Sequence, residues 1–267
     1  MDDPKSSIYR VQVLDRALGV LQALAARPGE CTLADLSIDV GLHKSTVHRI
    51  VMALEHHRLV HKNPENGRYR LGLKLFELGS AAIAATDLRE PARPYLNRVL
   101  AETGETVHLC LLDNGEVLYV DKLDPQKSIR MSSTIGRRQP AYCTSLGKAI
   151  LSQLPPDEVE SILRRTSLKP RTRHTLTTER QLRAELAQVR SRGYAIDDEE
   201  NEDGVRCVGA AVLIHSGRPV AAISVSGLAF SMTTDKLPGI SRSVVAAAHM
   251  LSADLGYRPG ATLLPGV

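Results

Sequence analysis

Apolar positions along the chain fall into periods that switch between helix and strand several times. Val13, Leu14, Ala17, Leu18, Leu21 and Leu24 recur at helical spacing, and Arg27-Pro28-Gly29 then stops the run, because proline and glycine continue a helix poorly. Thr32, with Asp35 three residues on, reads as a capping box opening a second helix whose stripe is Leu33, Leu36 and Val40 and whose end is Gly41. From Lys44 a third helix places Val47, Ile50, Val51 and Leu54 on one face. Lys44, Ser45, His48, Arg49 and Met52 share the other. Residues 59–62 and 68–71 then read as two strands around the turn Asn63-Pro64-Glu65-Asn66-Gly67.

Further on, Leu75, Leu78 and Ala82 line one face of another helix, with Gly79, Ala81, Ala84 and Ala85 small enough to admit a second helix closely. The expectation there is a symmetric contact between two copies. The rest predicts a helix from Pro91 to about Glu102 and strands over 106–112, 116–121, 129–132, 194–197, 207–214 and 220–226. Helices are expected near 145–154, 156–164, 179–192 and 235–255, and hairpin turns at Asn114-Gly115 and Ser216-Gly217. Strands and helices are interspersed, which predicts an α+β layout with a mostly antiparallel sheet flanked by helices.

With 267 residues, 43% hydrophobic and 24% charged, the chain can bury a sizeable core and is expected to form two domains. No apolar stretch approaches the ~20 residues that span a bilayer. Met1-Asp2-Asp3-Pro4-Lys5 has no signal-peptide character, so the expected address is cytoplasmic. The four cysteines form no C-x-x-C pair, which predicts reduced thiols and no zinc site. His56, His57 and His61 have no carboxylate or thiolate pattern to complete a metal site and read as a solvated helix end. No metal and no cofactor is expected.

Charge changes the picture. Between Val40 and Gly72 stand six basic residues against two acids, while the remainder of the chain balances; the formal net charge of +4 therefore resides in this one segment. Five of the nine histidines share it. That reads either as an electrostatic footprint for a polyanion or as a solvated face, and the architecture decides between them. Absence of Trp and a Phe count of two argue against the aromatic platforms that stack single-stranded bases, and favour a duplex or a small molecule. Two short helices joined by a tight glycine turn, the second exposing Lys44, Ser45, His48 and Arg49 near its start, suit a major-groove reader. The following hairpin would be a wing, with Arg68 and Arg70 on phosphate or in the minor groove.

Three stretches together resemble the IclR family of bacterial transcriptional regulators. They are Val13-Leu14-Asp15-Arg16-Ala17-Leu18, Gly41-Leu42-His43-Lys44-Ser45-Thr46-Val47-His48-Arg49, and the pair Thr144-Ser145-Leu146-Gly147-Lys148-Ala149 and Ala222-Ile223-Ser224-Val225-Ser226-Gly227. The resemblance implies a winged helix-turn-helix over 1–72, a linker helix over 73–90 and a GAF-like effector domain over 91–260. It also implies a homodimer or dimer of dimers on palindromic operator DNA, responding to a small organic acid. The DNA contacts implied are Lys44, Ser45, Thr46, His48, Arg49, Arg68 and Arg70.

Thr144-Ser145 opens a helix whose first amides have no partner within it, a seat for an anion. Ser224 and Ser226 point one way by the strand period of two while Ile223 and Val225 point into the core. The resemblance places the effector pocket among Ser145, Leu146, Asp197, Cys207, Ser224 and Ser226. Each also has a plainer reading: the serines satisfying backbone groups, Cys207 a small buried hydrophobe, Asp197 a turn cap.

Catalytic signatures are missing. Gly147-Lys148 is no phosphate-binding loop, since Tyr142 stands where its first glycine must be and Ala149 replaces the metal-binding hydroxyl. The chain is therefore expected not to be an enzyme. Two alternatives remain at this level: a hydrolase-like enzyme with a DNA-binding appendage, and a DNA-binding protein whose C-terminal half only oligomerises.

Overall fold

The computed structural model describes residues 11–84, 88–126 and 132–258. The chain divides into two compact units, one ending at Asp87 and the other starting at Leu88.

The first unit contains α1 (Gln12–Ala26), α2 (Leu33–Val40), α3 (Lys44–His56), β1 (Val60–Lys62), β2 (Tyr69–Leu71) and α4 (Lys74–Ala84). Its capping box forms in full: the Thr32 hydroxyl accepts from Asp35 N at 3.2 Å, and the Asp35 carboxylate accepts from Thr32 N at 2.9 Å. Gly41, at φ 64°, occupies the left-handed region where a Cβ would clash, and so turns the chain from α2 into α3. Val47, Ile50, Val51 and Leu54 are buried against Val20, Leu24, Leu36, Val60 and Tyr69.

In α1 the apolar stripe is only partly used. Val13, Leu14 and Leu18 are exposed, and the buried residues are Val20 and Leu24, because the two short helices cover that face alone. In α2, Leu36 is buried while Leu33 and Val40 pack partly against the same core. Leu78 of α4 is exposed; the side chains of Ala81, Ala82, Ala84 and Ala85 lie outside the described residues.

The second unit runs α5 (Arg89–Thr103), β3 (Thr106–Asp113), β4 (Glu116–Leu123), β5 (Arg138–Pro140), a 3₁₀ turn (Ala141–Cys143), α6 (Ser145–Gln153), α7 (Pro156–Arg165), α8 (Glu179–Arg192), β6 (Ala195–Asp198), β7 (Val205–Leu213), β8 (Pro219–Leu228) and α9 (Leu237–Asp254). Among the described residues its six strands form one antiparallel sheet in the order β5-β4-β3-β8-β7-β6. Asn114 and Gly115, both at positive φ, make the two-residue turn between β3 and β4.

Helix α5 begins at Arg89, before Pro91. Amides of a first helical turn have no intrahelical partner, so a proline there forfeits no bond. The strand expected over 129–132 lies, except for Ser132, outside the described residues, and Ser132 is not in a strand.

Strand alternation divides the sheet into two faces. Val107, Leu109, Val208, Ala210, Val212, Ala221, Ile223 and Val225 meet Leu96 and Val99 of α5 and Val244, Ala248 and Leu251 of α9. On the opposite face Cys110, Val117 and Ala222 pack with Leu146, Ile150, Leu182 and Val189 from α6 and α8. Toward one end this second face turns polar: His108 pairs across from Ser224, and Ser224 from Gly209; Thr106 pairs across from Ser226, and Ser226 from Cys207.

Candidate nucleic-acid interface and ligand cavity

The exposed face of α3 carries Lys44, Ser45, His48 and Arg49, with Thr46 half-buried beside them. Among the described residues no ion pair engages Lys44, Arg49 or Arg68, so their donors are available to a polyanion. Arg70 is different, since its Nε lies 3.9 Å from the Glu30 carboxylate. Glu30 also accepts from Asn63 Nδ2 at 3.1 Å and Asn66 Nδ2 at 2.9 Å, so the loop before α2 fixes the turn of the hairpin. Those two amides, and then Arg70, hold the Glu30 carboxyl below its ordinary range. Spacing did not reveal Glu30, because its partners are more than thirty residues away.

The polar end of the second sheet face forms a cavity of about 30 Å³, room for roughly one or two waters. Ser145, Leu146, Asp197, Cys207, Ser224 and Ser226 all line it. The start of α6 reaches the sheet because β7 has no side chain at Gly209. A Cβ there would stand 2.9 Å from the Ser145 carbonyl group and 3.0 Å from Leu146 N. Thr144 caps α6, its hydroxyl accepting from Gly147 N at 3.2 Å, which leaves the amides of Ser145 and Leu146 without intrahelical partners.

Asp197 does two things. Its Oδ1 accepts from Glu200 N at 2.8 Å and Asn201 N at 3.3 Å, capping the turn after β6, and the same carboxyl lines the cavity. Ser224 satisfies no backbone group among the described residues: its Oγ is buried without a hydrogen-bond partner there. Ser226 Oγ lies 3.4 Å from His108 Nδ1, and His108 Nε2 lies 2.7 Å from Ser133 Oγ.

Behind this wall a fully buried Lys148 from α6 is hydrogen-bonded to Glu200. Burial raises the Glu200 carboxyl, with Lys148 opposing it, and Glu200 Oε2 is left without a partner. Burial likewise raises Asp197 from 3.8 to about 7, against Lys148 and the two backbone donors. Burial lowers His108 from 6.5 to about 3, with Lys122 acting in the same sense, so its imidazole is neutral. The Cys207 thiol is pushed well above its ordinary value by burial and then by Asp197, which keeps it an unreactive thiol. All four cysteines are unpaired. Among the described residues no cluster of three His, Cys, Asp or Glu side chains could hold a metal ion, and no helix is long and apolar enough to cross a membrane.

Sequence patterns did not point to several residues of the lining: His108, Tyr119, Ser133, Arg137, Gln139 and Asn201. His108 stands in a run that reads as core strand. Arg137 and Gln139 belong to or adjoin a three-residue strand that ends in proline and shows no alternation.

A helix-turn-helix head with an uncompensated cationic face is the DNA-binding device of a transcriptional regulator. The head matches the IclR helix-turn-helix domain over residues 13–64, and residues 80–253 match the bacterial transcriptional regulator IclR C-terminal domain. The chain belongs to the IclR family, and its second unit has the GAF-like effector-domain fold. It is 37% identical to the HTH-type transcriptional regulator XynR of Escherichia coli K12, over 92% of this chain and 98% of that protein. It is 36% identical to the regulator KdgR of the same organism, over 96% and 94%. The crystal structure of the Thermotoga maritima IclR protein superposes with a TM-score of 0.80 at 35% identity, covering 93% of this chain and all of that one.

Proposed function

We propose that this transcriptional regulator is ligand-responsive and binds palindromic operator DNA as a dimer or dimer of dimers, sensing a small organic acid in the cytoplasm. In this reading residues 1–72 form the head, 73–90 the linker and 91–260 the effector domain. Lys44, Ser45, Thr46, His48 and Arg49 enter the major groove, while Arg68 and Arg70 meet the backbone or minor groove. The effector lies among Ser145, Leu146, Asp197, Cys207, Ser224 and Ser226, its carboxylate toward the first amides of α6.

The observation that carries the ligand reading is the Ser224 hydroxyl, buried and unpartnered on the floor of a polar cavity at a helix start. A buried unmade hydrogen bond costs about 1–3 kcal/mol, and a ligand oxygen removes that cost. Ligand and DNA then share a coupling free energy, typically ~1–3 kcal/mol, which must act equally in both directions.

The test is a gel shift on the DNA upstream of the gene, against random competitor, with and without small carboxylic acids. The expected result is preferential binding that an acid strengthens or weakens. Binding without sequence preference would overturn the regulator-site reading, and preference that no acid alters would overturn the sensing.

A further inference from the structure

Arg137 lies in the turn leading into β5 and lines the cavity with Gln139. Tyr119 holds that turn through both backbone groups: its N–H donates to Arg137 O at 3.1 Å, and its carbonyl accepts from Gly136 N at 2.8 Å. Gln139 is buried. With its amide oriented to suit its neighbours, its oxygen accepts from Arg137 Nη2 at 3.1 Å and Nε at 3.0 Å. A neutral group therefore fixes the plane of the guanidinium.

Two cations close by are compensated, and among the described residues Arg137 has no carboxylate partner. Lys148 is neutralised by Glu200; Arg138, next in the chain, pairs with Asp113 at 2.6 Å and Glu116 at 3.7 Å. Arg137 is exposed. Gln139 occupies the Nε edge of the guanidinium, so the edge formed by Nη1 and Nη2 keeps its donors for another acceptor. Two parallel N–H bonds from such an edge fit a carboxylate.

We propose that Arg137 is the residue by which this cavity selects an anionic effector over its uncharged counterpart. This rests on the cavity being the effector site. A guanidinium on the strand side and the first amides of α6 supply positive character for one carboxylate. Ser224 requires an oxygen at the other end of the ligand. A second carboxylate would face Glu202, which lines the same space, so a diacid is disfavoured.

The experiment uses the purified full chain with glycolate, pyruvate, gluconate and 4-hydroxybenzoate, each beside its uncharged primary amide. Thermal midpoints and calorimetry read binding, because a ligand of the folded state raises the midpoint. At least one acid is expected to bind the parent protein, with its amide at least about tenfold weaker. Arg137→Gln is expected to lose at least about tenfold of the acid's affinity while operator binding persists, its ligand-free midpoint falling modestly because Gln139 loses two donors, a fall that Gln139→Ala shares; Arg137→Lys keeps part of the affinity. Equal acid affinity in Arg137→Gln, or equal binding of acid and amide, overturns the role of Arg137 alone. No response of the parent protein to any of the acids overturns the effector-site reading and this inference with it.

Discussion

Lys148 and Glu200 join the two walls of the cavity, a fully buried ammonium on α6 meeting a carboxylate in the loop after β6. Removing one partner strands the other charge in a medium that cannot solvate it. Lys148→Ala or Glu200→Ala is expected to cost about 3–5 kcal/mol, whereas the double change Lys148→Met with Glu200→Leu recovers most of that. Urea unfolding checks it; single variants losing under about 1 kcal/mol would show that water reaches the pair.

His108 and Asp197 titrate in opposite senses. The unfolded chain takes up a proton below pH 6.5 that the folded chain refuses down to about 3, so the His108 contribution is full above 6.5 and lost as pH falls. For Asp197 the folded chain keeps, up to about pH 7, a proton that the unfolded chain releases at 3.8; that contribution is full below 3.8 and lost as pH rises. Each slope reaches up to about 1.4 kcal/mol per pH unit, and they oppose between 3.8 and 6.5. His108→Gln is expected to leave stability falling as pH rises through that window, and Asp197→Asn to leave it rising. Urea midpoints at several pH values decide; parallel profiles for the two variants would refute the assignment.

Leu146 is buried on the cavity wall, and the space left is about 30 Å³. Leu146→Ala is expected to cost about 2–5 kcal/mol and to favour larger acids over smaller ones. Calorimetry with 4-hydroxybenzoate and glycolate reads the preference, and an unchanged ratio would mean that Leu146 does not set ligand size.

Gly209 admits the first turn of α6, and a methyl group there meets backbone rather than a movable side chain. Gly209→Ala is expected to destabilise the effector unit by about 1–3 kcal/mol and to remove the response to acids while operator binding persists. A retained ligand response at unchanged affinity would show that the turn tolerates displacement.

On DNA, Arg49→Ala is expected to relax sequence preference, and Arg68→Ala to weaken all sequences while lowering the salt slope by about one. Arg70→Ala should lower the slope less than Arg68→Ala, because Glu30 already compensates part of its charge. Gel shifts over a salt series check all three variants.

Much of this was legible in the sequence because it depends on short periods. The two faces of α3 follow from spacing alone, and the step of two in β8 sends Ser224 and Ser226 to the cavity and Ile223 and Val225 to the core. What escaped depends on distant partners. Nothing local marks Lys148 as a buried ion, ties Glu30 to Asn63 and Asn66, or distinguishes Arg137 from the well-paired Arg138. The exposed Val13, Leu14 and Leu18 show the converse limit, since a periodic stripe specifies a helix without specifying what covers it.

The small volume of the cavity bears on speed. On the proposed reading, an effector of more than a few atoms needs the lining to move before it fits, so its association should plateau as its concentration rises and run well below the diffusional ceiling. A regulator built this way would ignore brief surges of its signal and register sustained ones, with residence time rather than encounter frequency setting how long the message lasts.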